Sequence, residues 1–228
     1  MTYVYSETVA KPPCQDWMTH VSAKVEPPRP YRKKMRALTE TENRQRIVEA
    51  TVELHQTLGP AKTTIKAIAE RAGVQRGTVY NHFPDLEGLF EACNAHYYER
   101  HPMPDPAPWA GIASPSERFR VAVRELYRWY EETEAMLSVG IRDIDAVPPG
   151  AREAFFGYFH QVARSLLTGR PERGRARART AAAVGHAISF ATWHSLVREG
   201  SLTSKEAAEL MEAMLGAAVN PSPIEPGS

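Results

Sequence analysis

Apolar residues recur along this chain with a helical period, and no stretch alternates with period two over the length of a strand. The pattern predicts an all-α fold. Thr39-Glu40-Thr41-Glu42 reads as a capping box that opens a helix. That helix carries Ile47, Ala50, Thr51, Leu54 and Leu58 on one face and stops at Gly59-Pro60. Ile65, Ile68, Ala69 and Ala72 then fall at i, i+3, i+4 and i+7, with Thr63 or Thr64 as the cap. Gly73 stands where a sharp turn wants a residue that tolerates positive φ. From Gln75 to Phe83, Val79 and Phe83 lie one turn apart and face inward, which turns Gln75, Arg76, Thr78, Tyr80, Asn81 and His82 outward. A short helix that packs one face and offers amide, guanidinium, hydroxyl and imidazole groups on the other suits the major groove of DNA. Asp85 caps a fourth helix that reaches about Arg100.

Beyond His101 the run HPMPDPAPW, with four prolines in nine positions, cannot continue a helix and marks a linker. Ser114-Pro115-Ser116-Glu117 starts a long helix rich in large side chains, expected to end near Val139 because Gly140 follows. Another is expected from about Ala151 to Thr168, and one more from the arginine-rich segment near Arg175 to about Glu199. On that last segment Val184, Ile188, Ala191 and Ser195 form a small apolar face, and His186, Phe190 and Trp193 a bulkier one. Thr203-Ser204-Lys205-Glu206 is a capping box, followed by a stripe of Ala207, Leu210, Met211, Met214, Leu215 and Ala218. Residues 1–28 and the tail from Asn220 show no period and are expected to be flexible.

Charge changes the picture. The 228 residues sum to +1, yet residues 29–83 hold eleven Lys/Arg against five Asp/Glu, while 84–228 hold fifteen against nineteen. The basic part carries the outward polar helix, so binding to DNA phosphates and steep salt dependence are expected there. Arg29-Pro30-Tyr31-Arg32-Lys33-Lys34-Met35-Arg36 reads either as a solvated charge run or as an arm for the phosphates or the minor groove. The arginines between Arg170 and Arg179 read mostly as a solvated surface. Cys14 and Cys93 are too few for a disulfide framework, and no segment resembles a secretory signal or a membrane span, so a cytoplasmic location is expected.

Lys62 to Phe83, KTTIKAIAERAGVQRGTVYNHF, resembles the DNA-binding domain of TetR-type transcriptional regulators. Thr64, Ile68-Ala69, Ala72-Gly73-Val74 and Gly77-Thr78-Val79-Tyr80-Asn81-His82-Phe83 carry the likeness. With the outward face, the resemblance implies DNA contacts from Thr64, Lys66, Gln75, Arg76, Gly77, Thr78, Tyr80, Asn81 and His82, with Arg44 near a phosphate. Many relatives carry a lysine just after the reading helix, where this chain has Asp85-Leu86-Glu87. The organisation expected is an N-terminal extension with a basic arm (1–36), a three-helix helix-turn-helix domain (37–83), a larger helical ligand-binding and dimerisation domain (84–219) and a tail (220–228). The resemblance further implies a homodimer built by the last two helices on a palindromic operator in double-stranded DNA. It also implies a pocket for a small apolar or aromatic effector, for which Trp129, Tyr130, Phe159, His186, Phe190 and Trp193 are the candidate walls.

Other chemistries find less support. Cys93, His96 and His101 lack a completing ligand at metal spacing. Asp143, Asp145 and His160 have neither a nucleophile nor a phosphate loop beside them, so no catalytic residue, metal or cofactor is expected. A helical DNA-binding protein without an effector is the alternative, favoured if the aromatic region is packed solid.

Overall fold

The computed structural model describes residues 29–219, and within them the chain forms ten α-helices and no strand. The expected flexible leader (1–28) and tail (220–228) lie outside the described residues. The first helix, α1, runs unbroken over Arg29–Thr57, so the capping box at Thr39 does not open a helix. Thr39 sits inside it, its hydroxyl donating to the Met35 carbonyl at 3.1 Å, and Glu40 pairs with Arg36 at 3.1 Å. A run of good helix formers and this i,i+4 pair carry the helix through, and the back-bonded threonine is tolerated. The basic residues from Arg32 to Arg36 are therefore helical and exposed.

The second unit begins at Thr41. The remainder of α1 ends at Gly59, whose φ of +89° is open to glycine, and Pro60–Lys62 adds a 3₁₀ turn. Helices α2 (Ile65–Ala72) and α3 (Arg76–His82) follow, then α4 (Leu86–Arg100), capped by Asp85, which accepts from the Gly88 amide at 2.8 Å. Ile47, Val48 and Ala50 of α1 close a core with Ile68, Ala69, Ala72, Val79, Phe83 and Leu89. Leu58, expected on this face, is exposed, while Leu89 carries the core past residue 83 into α4.

The proline-rich run is pinned rather than loose. It contains the short helix α5 (Ala107–Ala110), and the Trp129 indole and the Tyr158 phenol donate to the His101 and Pro104 carbonyls at 3.2 and 2.8 Å. Helix α6 (Pro115–Arg142) passes through Gly140 instead of stopping there, because an isolated glycine in a long packed helix costs only about 1 kcal/mol. Next come a 3₁₀ turn (Ile144–Ala146), α7 (Pro149–Leu167), α8 (Gly174–Ala187), α9 (Phe190–His194) and α10 (Ser204–Val219). Helix α10 lies against α6 and α8, and α7 against α8.

The helix expected from Arg175 to Glu199 is broken. Chain direction changes at Ile188-Ser189, where Ser189 caps α9, and a π-helical turn, Ser195–Glu199, follows. A break strands carbonyls, and buried hydroxyls take them up. Tyr127 donates to Ala187 O at 2.8 Å, Tyr130 to Ile188 O at 2.5 Å, and Thr192 to His186 O at 2.6 Å. Burial raises the pKa of both phenols, which keeps them as donors.

Candidate functional site

Thr64 alone caps α2, accepting from the Ala67 amide at 3.2 Å. Gly73 ends that helix at φ 65°, ψ 38°, and the Gly73 and Val74 amides bond back to Glu70 and Ala69 at 3.3 and 2.9 Å. This is a Schellman close, and it sets the angle at which α3 leaves. Val79 and Phe83 anchor α3 in the core. Arg71 of α2 is tied to Glu53 of α1, with Nε to Oε2 at 2.7 Å, and the Arg44 guanidinium lies 4.9 Å over the Phe83 ring.

With its core side held, α3 turns Arg76, Gly77, Tyr80 and Asn81 to solvent, preceded by exposed Gln75; Tyr80 is 54% exposed. Thr78 and His82 are half-buried at the flanks. Lys66, Thr64 and Arg44 are exposed beside them, Lys66 3.8 Å from Glu70. Among the described residues Arg76 makes no ion pair, which leaves its guanidinium fork available for a planar acceptor pair. At the next helix start Asp85 caps α4 and Leu86 and Glu87 follow, so the lysine that the resemblance leads one to expect has no counterpart at these positions.

A cavity of about 440 Å³ lies where the end of α1 meets α4, α6 and α7. Its walls include Phe90, Met103, Met136, Ile141, Val147 and Phe155, with His55, Asn94 and Tyr98 as polar groups. Burial lowers the His55 pKa to about 4, so its ring is neutral, and pushes the Tyr98 phenol up to about 12. The interior therefore offers neutral hydrogen-bonding groups in a largely apolar shell, with Glu91 and Arg152 the charged residues on its lining, a setting that suits a mainly apolar or aromatic molecule.

None of the six expected pocket residues lines this cavity. Trp129, Tyr130, Phe190 and Trp193 are buried in the core between α6 and α9, Phe159 packs against that core, and His186 is exposed. Large aromatic area is what closes a core, and Tyr130 touches Trp129, Phe159, Phe190 and Trp193 at ring-centroid distances of 5.5–6.3 Å. The cavity instead lies at the junction of α1, α4, α6 and α7, where small residues interrupt the larger walls. Gly140 has open space beside it, and Gly150 and Ala151 start the facing helix. Cys93 lies against His55, 3.6 Å from Nδ1, while His96 contacts Arg100 and Gln45; among the described residues no three metal-binding side chains gather. Asp143, weighed as a catalytic carboxylate, is bound by Arg142 and the Ala61 amide. No helix of the described residues is long and apolar enough to cross a membrane.

Residues 47–93 match the family model described as bacterial regulatory proteins, tetR family. The chain is 32% identical over 135 residues to the HTH-type transcriptional regulator SrpR of Pseudomonas putida, a match covering 56% of this chain and 62% of SrpR. Matches to the curated relatives thus span less than two thirds of their length, 29% in the case of TtgR from the same species. Among solved structures, a TetR-like transcriptional regulator from Rhodococcus sp. RHA1 aligns with a TM-score of 0.56 and 20% identity, over 79% of this chain and 97% of that one. The regulator AibR, crystallised with isovaleryl coenzyme A and operator DNA, aligns with a TM-score of 0.55 and 18% identity, over 75% and 97%. The likeness to both structures is one of fold. Helix-turn-helix geometry and the family match agree over the same residues: the segment 47–93 is a DNA-binding domain of the tetR family of bacterial regulatory proteins.

Proposed function

We propose that this protein is a dimeric transcriptional repressor that binds a palindromic DNA operator through α3 and is released by a mainly apolar or aromatic small molecule. The observation that carries the reading is α3 itself: Val79 and Phe83 are buried, and Gln75, Arg76, Tyr80 and Asn81 face solvent on the basic part of the chain. One such helix reads few base edges, and each well-placed bidentate contact discriminates by about 1–3 kcal/mol. Two copies about a two-fold axis double the reading, at a separation near one helical turn of DNA, roughly 34–36 Å, or a multiple of it.

Helices α8 and α10 supply the face for the second copy. Leu210 and Met214, one turn apart on α10, are 39% and 51% exposed, with Ala213 and Ala217 beside them and Ala178, Ala182 and Gly185 exposed on α8. Val184 and Ile188, expected on this face, are buried within the subunit and do not contribute. Small residues beside an apolar stripe let two helix pairs approach as a four-helix bundle.

The cavity at the end of α1 supports the ligand-responsive half of the reading, and AibR shows that a protein of this fold takes up both a small molecule and operator DNA. A ligand preferring the DNA-incompetent arrangement by about 100-fold shifts the balance by about 2.7 kcal/mol. The test is selection of bound fragments from random DNA with sedimentation of the same sample. Inverted half-sites and a dimer are expected; a single unrepeated site bound by a monomer overturns the reading.

A further inference from the structure

The cavity and the DNA-reading part of the chain share one joint. Helix α6 sends Met136, Leu137, Gly140 and Ile141 to the cavity wall, and the next two residues of the same helix end turn the other way. Arg142 Nη2 donates to the Leu58 carbonyl at 2.8 Å, and Asp143 Oδ2 accepts from the Ala61 amide at 3.1 Å. The two side chains also hold each other, with Arg142 Nε to Asp143 Oδ1 at 2.7 Å. Leu58 and Ala61 bracket the turn that ends α1 and leads into α2. A donor and an acceptor on adjacent residues thus grip one turn of the reading domain from both sides.

The turn is shaped for the grip. At Gly59 a Cβ would collide with both Asp143 Oδ2 and Arg142 Nη2, so the pair approaches the backbone as closely as only glycine allows. The Asp143 side chain is nearly covered, and the Arg142 guanidinium holds its carboxyl below the usual range, so it stays an acceptor near neutrality. Across the joint, His55 and Pro60 flank the gripped turn and are themselves cavity walls. A molecule in the cavity therefore touches both sides of the contact that Arg142 and Asp143 close.

We propose that Arg142 and Asp143 form a latch that holds the helix-turn-helix domain in its DNA-competent position, and that occupation of the cavity acts on DNA binding by opening it. The coupling half of this proposal rests on the ligand-responsive reading above. Both are positioning residues: neither reaches the outward face of α3. With the latch closed, the angle of α3 to the rest of the subunit is fixed, and so is the spacing of the two reading helices in a dimer. With it open, the reading domain pivots about the end of α1 and spacing selectivity is lost.

The experiment uses the full chain, an operator selected from random DNA and the neutral fluorescent probe N-phenyl-1-naphthylamine. Wild type, Arg142→Ala and Asp143→Asn are compared for probe affinity, for operator affinity with and without saturating probe, and for affinity to operators with one base pair inserted between half-sites. Two variants on opposite arms of the latch, with probe binding as the check of folding, separate coupling from general damage. The expected result is unchanged probe affinity, a loss of operator affinity of about tenfold on probe binding in wild type but under about twofold in the variants, and a spacing preference flattened by about tenfold. Variants that answer the probe and keep the spacing preference as wild type does overturn the latch and leave the ligand reading standing. If wild type binds the probe and keeps its operator affinity, the coupling half falls with the ligand reading. The positional half is still decided by spacing, where a flattened preference supports it and an unchanged one overturns it.

Discussion

His55 Nδ1 lies 3.6 Å from the sulfur of Cys93, joining the last turn of α1 to the middle of α4 in the protein interior. His55 is only 6% exposed, and its pKa falls to about 4 from an ordinary 6.5. The thiol, pushed up to about 12, stays protonated beside it. Between pH 6.5 and 4 the unfolded chain binds a proton at this position that the folded chain refuses, so stability is full above 6.5 and is lost as pH falls toward 4. The span corresponds to about 3 kcal/mol. Urea unfolding at pH 7.0, 5.5 and 4.5 is expected to show this slope in wild type and a much flatter one in His55→Gln.

Arg118 is a buried cation with no carboxylate partner in hydrogen-bond reach among the described residues. Its guanidinium donates to Ile112 O at 2.7 and 3.1 Å and to Ser165 O and Thr168 O at 2.9 Å. It thereby closes the C-terminal end of α7, where a positive charge is favoured. Arg118→Ala leaves the Ile112 and Thr168 carbonyls without this donor, while Ser165 O keeps the Thr168 amide, and is expected to cost about 3 kcal/mol, a fall in Tm of roughly 6–12 °C for a chain of this size. Lysine cannot span the fork, so Arg118→Lys should recover less than half in the same melting experiment.

Gly73 and Gly59 separate backbone strain from collision. At Gly73 a Cβ meets nothing within 4 Å, so Gly73→Ala is expected to cost only the left-handed backbone, about 1–2 kcal/mol, and Gly73→Asn less. Gly59→Ala adds a clash with Asp143 and Arg142 to a φ of +89° and should lower the urea midpoint further.

Arg76→Ala is expected to relax preference at one base pair by about 1–3 kcal/mol, whereas Lys66→Ala and Tyr80→Phe weaken all sequences alike. Lys66→Ala should also reduce the salt slope by about one. Fluorescence titration of selected and scrambled DNA at several salt concentrations distinguishes the two classes. An Arg76→Ala protein with unchanged selectivity would place a different side chain at the bases.

In the proposed dimer, Leu210→Glu and Met214→Glu would each remove about 2 kcal/mol of apolar burial per copy and act twice across the two-fold axis. Sedimentation should shift to monomer at micromolar concentration, with helix content unchanged because both side chains point away from the core.

Local chemistry in the sequence determined the all-helical class, the caps at Asp85 and Ser114, a cap at Thr63 or Thr64 that the structure resolves to Thr64, the left-handed Gly73 and the buried-versus-outward split of α3. Each follows from residues within about one helical turn, so no distant partner can alter it. What lay beyond that range was decided by tertiary structure. The break at Ile188 carries no Pro or Gly; it exists because Tyr127 and Tyr130, some sixty residues earlier, bring hydroxyls to the freed carbonyls. The walls of the cavity were not legible for a related reason. Large aromatics announce themselves in a sequence, but whether one fills the core, as Trp129 and Trp193 do, or walls a cavity, as Phe90 and Phe155 do, depends on how α1, α4, α6 and α7 come together. Periodicity tells which face of a helix is buried, but only the packed chain decides whether that face meets another side chain or a void.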